Sequence, residues 1–475
     1  MATKNYSRAF SFIVLVIVTI YAFYDQTPHY NKDSDAPLNH FSTDRALVQL
    51  ANIANKPHYV GTKAHEDVRN YIVKELEKLG LEVQIQKHEA VNSKWKGGTY
   101  AYNILSRIKG SGDGKALLLL SHYDSTPHSS YGGSDAGSGV VTILEGIRAY
   151  LHSGKKPVND IIIVISDAEE LGLLGAEAFV NFHPWAKDVG LVLNFEARGS
   201  GGPSYMLLET NGGNHALIEA FQKAQSPYPV GNSLMYSIYK MLPNDTDLTV
   251  FREEGNINGF NFAFIDDHFD YHSAQDTYER LDRKTLAHQG SYLMALLNYF
   301  SDADLTQLNN KSDDVFFNFP GFGMVYYPFS AVLPFVSLIS IAFVFLFIYG
   351  IRKQKLSFSG SFRSFIPFLY TLLLAVAIGF LGWKFILFLY PKYKDILHGF
   401  PYNGHLYIAF FISLILAVLF WVYKRYFKKG AIPDLMIAPI IVLLILNFLL
   451  AFKLKGGGFF IIPLLGLFIS WGVLL

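Results

Sequence analysis

Three short, continuously apolar runs constrain this chain more than anything else in it: KALLLLSH ending at His122, IIIVISDAEE ending at Glu170, and GLVLNFEARG ending at Gly199. A strand that alternates apolar and polar residues has one dry face. A strand that is apolar throughout is dry on both, as parallel strands are when helices cover each side of their sheet. Each run then closes on residues that a buried strand has no use for: His122 and Asp124, Glu169 and Glu170, and Glu196. In open α/β sheets, ligands and chemistry gather just beyond the carboxyl ends of the parallel strands. Three strands finishing in this way predict one sheet edge that carries the function.

The segments around these runs read as the rest of such a domain. Helical spacing appears in DRALVQLANIA, with Ser42 or Thr43 as its cap, and in EDVRNYIVKELEKLG, stopped by Gly80. It recurs in GVVTILEGIRAYLHSG and in LGLLGAEAFVNF, while LEVQIQKHEAV and TYAYNILSRIKG alternate as half-buried strands. The predicted fold class is α/β, with a mixed, mainly parallel central sheet and helices on both faces, over residues 41–305. Residues 25–40 and 306–328 read as linkers.

From Phe329 the character changes. Apolar runs at roughly 329–350, 365–390, 406–423, 432–452 and 457–475 predict an all-α, multi-span transmembrane region of about five helices. Residues 1–24 add an apolar run behind Lys4 and Arg8, without a small-residue cleavage site after it, so an uncleaved signal anchor is expected. The loops 351–364 and 424–429 hold four basic residues each, and 391–405 and 453–456 hold two each. Positive-inside counting puts the richer loops in the cytoplasm and the α/β domain outside it, on a periplasmic, lumenal or vacuolar side. The anchor's own flanking charges give the same topology. The last run reaches Leu475 with no polar tail, so the natural chain is expected to continue past it.

Charge narrows the partners. Before Tyr326 there are 27 Lys and Arg against 37 Asp and Glu; from there on there are 13 against 2. An acidic α/β domain lacks the clustered cations that phosphate backbones need, so no nucleic-acid partner is expected. With no Cys in the chain, thiolate ligands and disulfides are excluded, and any metal would be held by His and carboxylates.

Such groups stand where the strands end. His122 and Asp124 form an H-x-D pair, in which the carboxylate can orient the imidazole from outside the coordination shell. Asp135 follows a Gly/Ser-rich loop and precedes a helix, where it could serve as an N-cap or bridge two cations. Glu169 and Glu170 repel each other unless a cation lies near; one can ligate while the other acts as general base. With Glu196 and with His272 in YHSAQDT, the donor set suits two zinc ions.

The order HYD, SDAGSG, DAEELGLLGA, NFEARG and YHSAQDT resembles the co-catalytic zinc aminopeptidase family, over about residues 40–300. That family also includes glutamate carboxypeptidases, glutaminyl cyclases and the transferrin receptor. The multi-span tail looks like its membrane-bound branch, the vacuolar membrane proteases and endoplasmic-reticulum metallopeptidases. The resemblance implies a zinc-exopeptidase fold and two zinc ions, one at His122, Asp135 and Glu196, the other at Asp135, Glu170 and His272. It implies Glu169 as general base, Asp124 as support for His122, and Tyr271 as a hydrogen-bond donor to the tetrahedral intermediate. PNDTDLTVF, at 243–251, resembles a substrate-side loop, with Asp245 and Asp247 as weaker candidates. The chain departs from many soluble members in having Glu196 in place of Asp, and Ala136 in place of Asn or Asp. The implied function is a membrane-anchored, zinc-dependent exopeptidase acting on peptides, with membrane lipid as its other partner. Aminopeptidase comes first; dipeptidase, carboxypeptidase and glutaminyl-cyclase-like acyl transfer are the alternatives.

Overall fold

The structure, a computed structural model, describes residues 2–475 (backbone only for 2–8) apart from 93–95, 128, 243–244, 397–398 and 428–431. His128, Pro243, Asn244, Lys428 and Lys429 therefore lie outside the described residues. The chain divides into two compact units, Met1–Tyr327 and Pro328–Leu475.

The first unit is built on a seven-stranded sheet in the order β1-β2-β4-β3-β5-β7-β6. Its strands are β1 (Val83–Asn92), β2 (Gly97–Ile108), β3 (Ala116–His122), β4 (Ile161–Ser166), β5 (Val189–Ala197), β6 (Gly201–Glu209) and β7 (Gly259–Asp266). The central four, β4, β3, β5 and β7, are parallel, and β1, β2 and β6 pair antiparallel at the margins. The helices are α1 (Ala2–Gln26), α2 (Thr43–Ile53), α3 (Lys63–Lys78), α4 (Gly137–His152), α5 (Leu174–Phe182), α6 (His215–Lys223), α7 (Ser233–Tyr239), α8 (Asp247–Glu253) and α9 (Arg283–Phe300). The apolar runs are dry on both faces because strand alternation sends neighbours into two cores. Leu117 and Leu119 join a cluster with residues of α2, α4 and α9, while Leu118 and Leu120 join another with residues of α5 and α8. All four are fully buried. At about 1.5–3 kcal/mol per buried aliphatic side chain, this sandwich fixes the level at which each strand ends.

Two segments that read as linkers are structured. In residues 25–40, the Asp33 carboxylate accepts the backbone N–H groups of Thr43 and Asp44, each at 2.9 Å, and so serves the first turn of α2. Arg45 and Arg148 both donate to the His40 carbonyl, at 2.7 and 2.9 Å. The orphan N–H groups of a helix start need acceptors, and this polar segment supplies one. Residues 306–328 contain a second sheet, β8 (Asp314–Phe319) and β9 (Gly323–Pro328). Its turn is Phe319-Pro320-Gly321-Phe322, with Gly321 at φ +79° and Phe322 N–H donating to the Phe319 carbonyl at 3.0 Å. Pro followed by Gly at a positive φ is the signature of a type II turn.

Among the described residues, six helices are long and apolar enough to cross a membrane, by length and composition: Ala9–Gln26 within α1, and Phe329–Arg352, Phe358–Leu389, Gly404–Tyr426, Ile432–Lys453 and Lys455–Leu474 in the second unit. Within that unit Val336, Ile440, Leu464 and Trp471 share one apolar cluster. The Trp471 indole N–H donates to the Pro433 carbonyl at 3.1 Å.

Two consequences of the packing can be measured. A Cβ on Gly139 would collide with the Phe195 carbonyl oxygen and the Ser121 hydroxyl, both on strands beside the first turn of α4. Gly139→Ala is expected to cost about 1–3 kcal/mol, the usual penalty of overpacking, read as a lowered thermal midpoint. His288 is buried, with Nδ1 accepting from Ser204 N–H at 3.0 Å and Nε2 donating to the Tyr228 carbonyl at 2.9 Å. Both nitrogens are satisfied only by the neutral ring, and burial pushes its pKa from 6.5 down to about 4. The unfolded chain therefore binds a proton there that the folded chain refuses. Stability falls as pH drops from 6.5 towards 4, by about 1.4 kcal/mol per unit. His288→Gln should flatten that slope in urea titrations at pH 7 and pH 5.

Candidate metal centre

The functional side chains converge at the carboxyl edge of the four parallel strands. His122 is the last residue of β3, Glu169 and Glu170 follow β4 by a tight turn, Glu196 is near the end of β5, and His272 lies six residues beyond β7. Asp135 arrives from the Gly/Ser-rich loop that leads into α4.

In this arrangement Asp135 stands between two imidazoles. Its Oδ1 is 3.2 Å from His122 Nε2, and its Oδ2 is 3.2 Å from His272 Nε2. Glu196 Oε2 is 3.5 Å from His122 Nε2, and Glu170 Oε2 is 3.0 Å from His272 Nε2. Two groups result, His122 with Asp135 and Glu196, and Asp135 with Glu170 and His272. Within each, the potential ligand atoms all lie inside 4.8 Å of one another. Asp135 and Glu196 are buried, the Glu170 side chain is nearly so, and Glu170 Oε1 has no hydrogen-bond partner among the described residues. A buried carboxylate oxygen aimed into a cluster of His and Asp, with nothing to bond, fits a cation.

The electrostatics describe the same crowding. Burial would lower His122, but Glu196, Asp124 and Asp135 outweigh it and raise its pKa well above the ordinary value. Burial likewise opposes His272, and Asp135 and Glu170 carry it up to about 10. Asp135 is held low against its burial by hydrogen bonds to both histidines. Glu170 is pushed up to about 8 by burial and by the Asp135 charge. Glu169 is raised well above the carboxylate range by burial; the His122 charge opposes this, while Glu196 and Glu170 add to it. A dication suits a site in which so many carboxylates compete for positive charge.

Asp124 does more than its expected part. The His122 ring is steadied through Nδ1 by the Asp124 backbone carbonyl at 2.9 Å, while the carboxylate Oδ1 stands at 3.5 Å. That carboxylate instead accepts the backbone N–H groups of Glu169 at 3.1 Å and Glu170 at 3.2 Å, so one side chain positions both glutamates. The turn after β4 is tight, with Ala168 at φ +58°, and in the loop after β7 His272 sits at φ +53°. Left-handed backbone at non-glycine residues costs about 1–3 kcal/mol and concentrates at functional sites.

Two supports are not legible in the sequence, Asp276 and the His65–Asp167 pair, and a third, Asp247, stands there only as a weaker candidate. Asp276, in the same motif as His272, accepts the N–H of Ser134 at 2.6 Å and of Asp135 at 3.2 Å, clasping the loop that delivers Asp135. His65 Nε2 and Asp167 Oδ1 pair at 2.8 Å in the core, with the His65 ring stacked on Tyr123 at 4.7 Å. Asp247 takes a short hydrogen bond from Ser166, leaves Oδ1 without a partner, and is pushed up to about 7 by burial. Tyr271 stacks on His272 with ring centroids 3.7 Å apart, and the Arg198 guanidinium lies 5.4 Å from the Tyr271 centroid. Beside Glu169 opens a cavity of about 100 Å³ lined by Arg198, Leu207, Tyr239, Asp245, Ile265 and Tyr271, among others. The Asp135–Ala136 peptide is cis, and Ala136 is buried against the strand ends.

Residues 103–297, which hold every one of these ligand positions, match peptidase family M28. The chain is 28% identical over 363 residues to a vacuolar membrane protease of Candida dubliniensis, covering 73% of this chain and 37% of that protein. It is 28% identical over 349 residues to a putative endoplasmic reticulum metallopeptidase 1-B of Caenorhabditis elegans, covering 67% and 38%. The chain thus spans less than two fifths of the length of these curated relatives. Among solved structures it is similar to the glutaminyl cyclase of Porphyromonas gingivalis, at 23% identity and a TM-score of 0.45, over 54% of this chain and 98% of the other.

Proposed function

We propose that the protein is a membrane-anchored, zinc-dependent exopeptidase, foremost an aminopeptidase, that binds two zinc ions per chain and hydrolyses peptides on the extracytoplasmic side. The observation that carries this reading is Asp135, shared at 3.2 Å by two histidines that each belong to a separate three-ligand group. His122, Asp135 and Glu196 would hold one ion, and Asp135, Glu170 and His272 the other. The donor set of nitrogens and carboxylate oxygens is one that zinc takes.

Bound zinc supplies Lewis acidity, which acidifies a water and polarises a carbonyl. The chain's own residues do the rest. Glu169 lines the cavity and is not needed in either ligand group, and burial raises its pKa, which makes its carboxylate a stronger base. It takes the proton from the attacking water and hands it to the leaving amine. Asp124 holds its backbone in place through the Glu169 N–H. Tyr271, fixed by stacking on His272 and kept protonated by burial, offers its hydroxyl to the developing oxyanion.

One observation favours a second reading. Arg198 is the single cationic side chain among the described residues lining the cavity, and Arg forks suit a peptide's free carboxylate. That would make the enzyme a dipeptidase or carboxypeptidase. The full-length protein in detergent should hydrolyse aminoacyl substrates, lose that activity to chelator and regain it with zinc. Chelator-resistant turnover would sink the zinc reading. Turnover confined to amino-blocked peptides would move the assignment to carboxypeptidase, and release of pyroglutamate without hydrolysis would move it to acyl transfer.

A further inference from the structure

We propose that the tip of the β8–β9 hairpin, Phe319–Phe322, is a lipid-docking element that seats Phe322 in the membrane surface beside α1. The proposal rests on the reading of α1 as a membrane span and is independent of the metal centre.

The tip is tied to the end of that helix. Gly321 N–H donates to Asp25 Oδ2 at 2.8 Å, and Tyr21, one turn earlier, donates to the other oxygen of the same carboxylate at 3.4 Å. A Cβ on Gly321 would already touch the Tyr21 hydroxyl at 3.4 Å. Asp25 is the penultimate residue of α1, whose apolar stretch runs Ala9–Gln26. At 1.5 Å of rise per residue, a loop bonded at Asp25 stands within about one helical turn of Phe23 and Tyr24, the last aromatic residues of the span.

The chemistry of the tip agrees with that position. Phe316 and Phe317 of β8 are buried in the domain, whereas Phe322 is 74% exposed and is pinned edge-on against Phe319 at 5.6 Å. A lone exposed aromatic is ordinary on a protein surface. This one is held at the level where an apolar helix ends, on a turn stiffened by Pro320. From Val315 to Ile351 the sequence has no Asp, Glu, Lys or Arg, so no charged side chain of the hairpin itself resists desolvation. Seven of the fourteen residues from Phe316 to Phe329 are Phe or Tyr, the residue types that gather at membrane interfaces or bury in lipid. The hairpin's second strand then runs at once into the apolar stretch that begins at Phe329. The hairpin would thus give the domain a lipid contact of its own, beyond the apolar helices that precede and follow it in the chain.

The chain has no native Cys, so single-cysteine variants of the full-length protein can carry one nitroxide label each. Three sites suffice: Phe322→Cys, Ile17→Cys on the exposed face of α1, and Val91→Cys, 71% exposed on β1. The proteins are placed in phosphatidylcholine–phosphatidylglycerol vesicles, and collision rates are read with oxygen, which concentrates in lipid, and with a water-soluble nickel complex. The expected result is that position 322 resembles 17, with nickel accessibility at least severalfold below that at 91 and oxygen accessibility above it. Nickel accessibility at 322 equal to that at 91, with 17 shielded, overturns the docking while leaving the span intact. Shielding at 322 from both reagents shows protein cover, such as a second copy, and also overturns it. Nickel access at 17 removes the span itself and the proposal with it.

Discussion

Glu169→Gln leaves a folded protein that still binds its metal and has lost roughly 100- to 10,000-fold in peptide turnover, the range that a positioned general base supplies. The expectation follows from what Glu169 touches and what it does not. Its backbone N–H is bonded to Asp124, which the substitution does not alter. Its side chain lines the cavity but is not required by either three-ligand group. Gln has the same shape, cannot take a proton, and relieves a buried carboxylate that Glu196, Glu170 and Asp247 all disfavour. Thermal stability should therefore hold or rise slightly while kcat collapses. Elemental analysis alongside the assay separates the possible roles. Lost metal would make Glu169 a ligand, and full activity with metal retained would remove it from the chemistry altogether.

What was legible in the sequence was the part of the site written on strands. His122, Glu169, Glu170 and Glu196 stand out because each interrupts or follows an apolar run that only a doubly covered strand explains. Asp135 and His272 have no such frame and emerge only through the order of motifs. The fourth parallel strand, β7, was hidden, because GFNFAFID is broken by Gly259 and Asn261 and imitates a half-buried strand. Asp276 was hidden for another reason: its function is to accept backbone N–H groups from a loop some 140 residues earlier, and no local pattern encodes that meeting. The same holds for Asp33, which looks like linker composition until the first turn of α2 is placed against it. Polar residues whose partners are distant backbone groups are the ones a sequence conceals.

That distinction bears on Asp135, where the largest effect on metal binding is expected. It is the one carboxylate common to both ligand groups, so Asp135→Ala reduces each to two side chains, His122 with Glu196 and Glu170 with His272. Neither pair can close a zinc site, and the purified variant should carry little or no metal. Glu196→Ala is the informative contrast. It breaks only the first group, so a two-ion centre should keep one equivalent, whereas a one-ion centre held by His122, Asp135 and Glu196 should keep none. Stability supplies an independent readout, because metal at 100 times its dissociation constant stabilises the folded state by about 2.7 kcal/mol per site. The thermal midpoint of the unmodified protein should therefore fall on adding chelator, and the Asp135→Ala midpoint should not respond to it. Asp276→Asn tests the clasp from outside the ligand set: Ser134 and Asp135 N–H bond different carboxylate oxygens, so the amide keeps an acceptor for one and presents a donor to the other. Its metal affinity should fall while its stoichiometry at saturating zinc is kept. An Asp135→Ala protein that binds zinc like the unmodified chain and melts with the same chelator response would show that the two histidines are bridged by a carboxylate that no metal needs.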